Sequence, residues 1–144
     1  MARSPMRNEQ VADQLHSAAI RLLRYLRRED AAAGVTAAQL SVLSVLAFAG
    51  PQTLSGLAAA EQVRPPTMSQ LVAGLEDLGL VARKPLDRRS VEIAITRKGR
   101  RLMETGRRRR LARLAKALDT LPAEQVDRLA QAAGLIVAIT DPTI

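Results

Sequence analysis

A chain of 144 residues is long enough for one hydrophobic core and too short for two independent domains. Its 22 Lys and Arg against 14 Asp and Glu give a formal charge of +8, so a polyanionic partner is the natural expectation, and a two-fold dimer would double the charge. The absence of Cys excludes disulfides, thiolate metal sites and a cysteine redox switch, and Tyr25 and Phe48 are too few rings for the stacking platforms that bind single strands or RNA.

Beyond a short arm at residues 1–7, expected to be mobile, Val11, Leu15, Ala18, Ala19, Leu22, Leu23 and Leu26 recur at helical spacing and predict an amphipathic first helix. Thr36 followed by Gln39 has the form of a capping box, opening a second helix through Val42 and Leu43 that Gly50-Pro51 closes. Thr53 is placed as the N-cap of a short third helix, and only Glu61, Gln62, Val63 and Arg64 separate it from a fourth. In that fourth segment Pro65 fits the first helical position, and Met68, Leu71, Val72, Leu75 and Leu78 fall on one stripe. Ser69, Gln70, Ala73 and Asp77 are left on the other face, just after Thr67. Such a short polar surface suits base edges, because Ser and Thr hydrogen-bond most bases and Gln pairs with adenine through two bonds. Pro66 removes a second first-turn N–H, so phosphate capture is expected to pass from the helix end to side chains such as Arg64. Taken alone, the segment reads equally well as an ordinary core-facing helix.

After Leu80 and Val81 come Arg83, Lys84 and the run Pro85-Leu86-Asp87-Arg88-Arg89-Ser90, and then Val91, Ile93 and Ile95 alternate with smaller or polar neighbours. Two extended pieces around a charged tip predict a two-stranded hairpin, with Arg88 and Arg89 able to follow a phosphate backbone or enter a narrow minor groove. A solvated turn is the plain alternative. Arg107-Arg108-Arg109-Arg110 lies in a predicted long helix that continues through Leu111, Leu114, Ala115 and Leu118. Four successive residues point around the whole circumference, so this run reads as a solvated face in preference to a DNA contact. Pro122 and Glu124 mark a last helix, where Val126, Leu129, Ala130, Ala133, Ile136 and Val137 form a second apolar stripe. The two terminal stripes need something to bury against, either the partner subunit of a dimer or each other in a monomeric bundle.

A membrane-spanning helix needs about 18 apolar residues or more, and Leu135-Ile136-Val137-Ala138-Ile139 is far too short. With no signal-peptide pattern at Met1, the expectation is a cytoplasmic protein without a membrane partner. There is no H-E-x-x-H, no glycine-rich phosphate loop and no Ser-His-Asp set, so neither an enzyme nor a metal or cofactor is expected. The lone His16 reads as a helix-surface or interface residue, a pH sensor being the sharper alternative.

The order and spacing of these pieces resemble the MarR family of bacterial winged helix-turn-helix transcriptional regulators, from about Asn8 to Ile139. The resemblance is carried by residues 36–43, by the helix pair at 54–60 and 65–78, by Asp87-Arg88-Arg89, and by Ile95-Thr96-Arg97-Lys98-Gly99, which is similar to the family's LT-x-x-G lead-in to a long fifth helix. It implies a mainly α fold with a small β-hairpin wing in a single domain, residues 1–144. Residues 35–97 would form the winged-helix DNA-binding lobe, and 8–32 with 98–141 the dimerisation helices. The implied function is a homodimeric, sequence-specific regulator of transcription, acting as a repressor on a pseudo-palindromic operator in double-stranded DNA, with recognition helices about 34 Å apart. By position, Asp87 and Arg89 match the family's wing Asp, which braces the wing, and wing Arg, which contacts the minor groove. The stretch from Val81 to Asp87 is shorter than the common family pattern, which leaves open whether Arg88 or Arg89 makes that contact. The DNA-binding set is therefore Arg64, Pro65, Pro66, Thr67, Ser69, Gln70, Asp87, Arg88 and Arg89. The resemblance also implies a small aromatic effector in a cleft between the dimer helices and the DNA-binding lobe. His16, Arg24, Tyr25 and Phe48 are its candidate residues, at positions that core packing explains equally well. An architectural DNA-binding protein without operator preference, and a winged-helix module for protein contact, are the alternatives.

Overall fold

Three threonines set where the central helices begin. Thr36 accepts a bond from the Gln39 amide at 3.1 Å while Gln39 Oε1 accepts from the Thr36 amide at 3.0 Å, a complete capping box. Thr53 and Thr96 accept from the amides of Gly56 and Gly99, each at 3.1 Å. The computed structural model describes residues 5–141. It runs α1 (Pro5–Arg27), a 3-10 turn (Asp30–Ala33), α2 (Ala37–Ala49), β1 (Gln52–Thr53), α3 (Leu54–Ala60), α4 (Pro65–Asp77), β2 (Val81–Pro85), β3 (Val91–Ile95), α5 (Arg97–Leu118) and α6 (Ala123–Thr140). Residues 5–7 of the expected arm belong to α1, whose apolar spacing starts too late to reveal them, and residues 1–4 lie outside the described residues.

The hairpin is part of a three-stranded antiparallel sheet in the order β1-β3-β2. Val81 faces Ile95 and Pro85 faces Val91 across the hairpin, while Gln52 pairs with Ile93 on the other edge. The third strand is two residues long, too short for any period to show. Alternation also fails at the base of β3, where Ile93 and Ala94 are both buried because the strand is covered on both faces.

The core is the lobe's own. Val42, Leu43 and Leu46 from α2, Leu57 from α3, Met68, Val72 and Leu75 from α4, Leu80 from the turn after it, and Val81 and Ile93 from the sheet belong to one buried cluster. Leu78 is not part of it and is 40% exposed, because α4 ends one residue earlier. Gly79 takes φ +71, its amide bonds to the Glu76 carbonyl at 2.8 Å, and the Leu80 amide bonds to the Leu75 carbonyl at 2.9 Å, so the chain turns away with Leu80 swung into the core. Neither α1 nor α6 has a fully buried residue, and Leu129 and Val137 are 49% and 65% exposed. The single chain thus does not close its terminal stripes into a monomeric bundle.

Candidate nucleic-acid interface

The α3-α4 pair is joined by a tight turn in which Gln62 adopts φ +54 and the Val63 amide returns to the Ala58 carbonyl at 3.0 Å. That turn sets Arg64 as the N-cap of α4, in extended conformation and with no capping bond from its side chain, so the guanidinium is free to reach outward. Pro65 and Pro66 occupy the first two helical positions. With Met68, Val72 and Leu75 turned into the core, Arg64, Pro65, Pro66, Thr67 and Gln70 are exposed together, while Ser69 is half-buried at the edge. The face is short, polar and carries one cation, a surface that can approach base edges in a major groove.

Behind it the wing tip is held by one carboxylate. Asp87 Oδ1 accepts from the Arg89 amide at 2.7 Å and the Ser90 amide at 2.8 Å, and the Leu86 amide bonds to the Ser90 carbonyl at 3.0 Å. These contacts, first the Arg89 amide and then Ser90 through its side chain and backbone, hold the Asp87 carboxyl below its ordinary value of 3.8. A depressed folded value means that the support given by the ionised form is complete above the ordinary carboxylate range and is lost as pH falls through the lowered one. Arg88 and Arg89 are the exposed central residues of this pinned turn. Asp87→Ala is expected to speed amide exchange at Arg89 and Ser90 while leaving the melting temperature of the lobe nearly unchanged; exchange as slow as in the parent would mean that the strand register alone holds the tip.

Three contacts invisible in the sequence connect wing, recognition helix and α5. Arg83 Nε donates to Glu76 Oε1 at 2.6 Å, fastening β2 to α4. Thr96 Oγ1 donates to the Gly79 carbonyl at 2.6 Å, and Lys98 Nζ donates to the Leu78 carbonyl at 2.8 Å, which caps the C-terminal end of α4. At the other end of the lobe, Arg110 pairs with Asp30 and Arg113 with Glu29, each at 2.6 Å. These bonds tie α5 to the junction between α1 and α2. The four-arginine run is therefore divided, with Arg107, Arg108 and Arg109 exposed and Arg110 committed to an ion pair.

The four effector candidates are scattered. His16 and Arg24 are exposed on α1, and Phe48, 90% exposed near the end of α2, packs into no core. In the single chain core packing therefore does not account for these three, because α1 has no fully buried residue and α2 turns Val42, Leu43 and Leu46 inward instead. Tyr25 is half-buried beneath Arg113, whose guanidinium carbon lies 4.3 Å from the ring centre, and it lines a groove with Glu29, Arg109 and Lys116. Among the described residues no group of three or more His, Asp or Glu is placed to hold a metal ion, and no single helix is long and apolar enough to cross a membrane.

Comparison with known proteins agrees with this geometry. The family model described as MarR family matches residues 33–90, the span from the 3-10 turn to the wing tip. An uncharacterised HTH-type transcriptional regulator of Mycobacterium bovis is 39% identical over 133 residues, 91% of this chain and 93% of the relative. A solved transcriptional regulator from Thermotoga maritima is 25% identical with a TM-score of 0.81, over 92% of this chain and 95% of its own. A MarR family protein from Bacillus stearothermophilus shares the fold at 24% identity and a TM-score of 0.76, over 94% of this chain and 96% of its own. The chain belongs to the MarR family of winged-helix transcriptional regulators, non-enzymatic proteins that bind DNA as dimers.

Proposed function

We propose that this protein is a cytoplasmic, homodimeric repressor that reads a pseudo-palindromic operator in double-stranded DNA. The observation that carries the reading is the exposed start of α4, with Arg64, Thr67 and Gln70 clear of the core, in front of a wing tip whose turn is already formed around Asp87. In this reading Thr67, Ser69 and Gln70 meet bases, and Arg64 meets phosphate. Pro65 and Pro66 shape the helix start, and Arg88 and Arg89 reach along the minor groove from the wing. The dimer is supported by the apolar residues that α1, α5 and α6 leave uncovered. Leu22, Leu114, Leu118, Val126, Leu129 and Ile136 surround one apolar groove with almost no polar lining, the kind of surface a second copy of the chain would cover. A small effector that weakens the grip on DNA completes the reading, with Tyr25 as the member of the sequence set that stands in a groove.

Fluorescence anisotropy with the protein's own upstream DNA and a shuffled duplex, at several salt concentrations, tests this. A preference of about 10³ or more for the upstream DNA is the expected result. Equal and steeply salt-dependent binding to both would favour the architectural alternative, and no binding to either would favour a protein-contact module. Within the same assay, Arg89→Ala is expected to lower affinity and to make the slope of log affinity against log salt shallower by about one, as when one phosphate fewer is neutralised. An unchanged slope would remove Arg89 from the phosphate set.

A further inference from the structure

Two stretches of chain join the lobe to the terminal helices, and two ion pairs fasten those stretches to each other. The first is the middle of α5. The buried core of the lobe reaches along this helix to Leu102 and Met103, whereas Leu114 and Leu118 face the apolar groove shared with α1 and α6. Between them stands Gly106, inside a helix of 22 residues, where a glycine is unfavourable and bending is least opposed. The second stretch runs from the end of α1 through Glu29 and the 3-10 turn to α2. Arg110 Nη1 donates to Asp30 Oδ1 and Arg113 Nη1 to Glu29 Oε1, each at 2.6 Å, so both bonds cross from α5 to this stretch. Arg110 lies one turn beyond Gly106 and its guanidinium folds back over it; a Cβ there would stand 3.2 Å from Arg110 Nη1.

These pairs do little for the fold as such, since the lobe has its own core and an isolated surface pair contributes little stability. Here all four side chains are less than a third exposed, and Arg113 is also stacked on the Tyr25 ring at 4.3 Å, so the bonds are held in one geometry. What they fix is an angle. With α5 able to bend at Gly106, two bonds on one side of the helix hold the lobe in one orientation to the terminal helices. In a dimer that angle occurs twice and sets the separation of the two copies of α4. One base pair changes the distance between half-sites by about 3.4 Å, so a latched dimer distinguishes spacings that a swinging one does not.

We propose that Asp30 with Arg110 and Glu29 with Arg113 form a latch across α5 that determines which half-site spacing the dimer accepts. They touch no base or phosphate; they are positioning residues that act through α4. The spacing half of this inference rests on the DNA-reading function proposed above, and the latch does not. Because the chain has no Cys, Asp77→Cys on the exposed end of α4 places one spin label per subunit, and double electron–electron resonance then reads the distance between the two copies of α4 without DNA. The expected result is a narrow distribution in the labelled parent, a broader one in Asp30→Arg and in Arg110→Asp, and a narrow one again when both substitutions are combined. Equal widths in the parent and the single variants, or a double variant as broad as either, would overturn the latch. Anisotropy with the upstream duplex, and with one base pair added or removed between its half-sites, tests the spacing. The parent is expected to lose at least tenfold in affinity on either change, each single variant less than threefold, and the double variant again at least tenfold. Single variants that keep the full tenfold discrimination would overturn the spacing role. A parent that binds no duplex would sink the DNA-reading function and leave the latch to stand or fall on the distances.

Discussion

Gly99→Ala is expected to lower stability by about 3 kcal/mol, read as a drop in the urea midpoint at an unchanged denaturant slope. A Cβ at this position would stand 2.3 Å from the Leu80 carbonyl oxygen and 2.7 Å from Ile95 Cγ1. The carbonyl cannot swing aside cheaply, because it accepts the Thr96 amide at 3.0 Å and belongs to the chain just after the turn that ends α4. Nor can α5 simply shift outward, since Thr96 Oγ1 holds both the Gly99 amide and, at 2.6 Å, the Gly79 carbonyl. Relief in either direction breaks bonds between the recognition helix, the sheet and α5. The penalty therefore falls toward the upper end of what overpacking costs. An unchanged midpoint would show that α5 slides without disturbing these bonds, and that its start is not rigidly coupled to α4.

That junction shows what the sequence could and could not reveal. The T-x-x-G spelling at Thr96 and Gly99 was legible as a helix lead-in by resemblance, and the capping box at Thr36 and Gln39 by chemistry alone, because each is a local pattern closed within four residues. The face of α4 was legible from its period, except at Leu78, where the stripe continues past the residue at which the backbone stops being helical. What stayed hidden depends on chain segments far apart in sequence. Asp30 with Arg110 and Glu29 with Arg113 are separated by 80 and 84 residues, and nothing local marks one of four neighbouring arginines as the one that pairs. For the same reason Lys98 read only as part of a motif, whereas the fold gives it a carbonyl to cap and a groove to line. Phe48 shows the opposite case: as one of two aromatic residues it invited a role in the core or in a ligand cleft, and the single chain leaves it out of the core, 90% exposed.

Leu129→Asp is expected to convert the protein to monomers in sedimentation experiments and to weaken binding to a two-half-site operator by about 10² to 10⁴, the advantage that a second linked contact confers. Exposure decides the outcome. Leu129 is 49% exposed in the single chain, on the apolar groove that Val126 and Ile136 continue, so a carboxylate there remains hydrated and costs the isolated fold little. In a dimer that closes over the groove, the same carboxylate loses water on both subunits at once, and the groove lining, which is apolar, offers no cation to pair it. The lobe keeps its own core from α2, α3, α4 and the sheet, and far-UV dichroism should show its helices intact. Each monomer should still bind a half-site weakly through α4 and the wing. A variant that still sediments as a dimer and binds the full operator as tightly as the parent would mean that another surface joins the subunits, leaving the apolar face of α6 to a different partner.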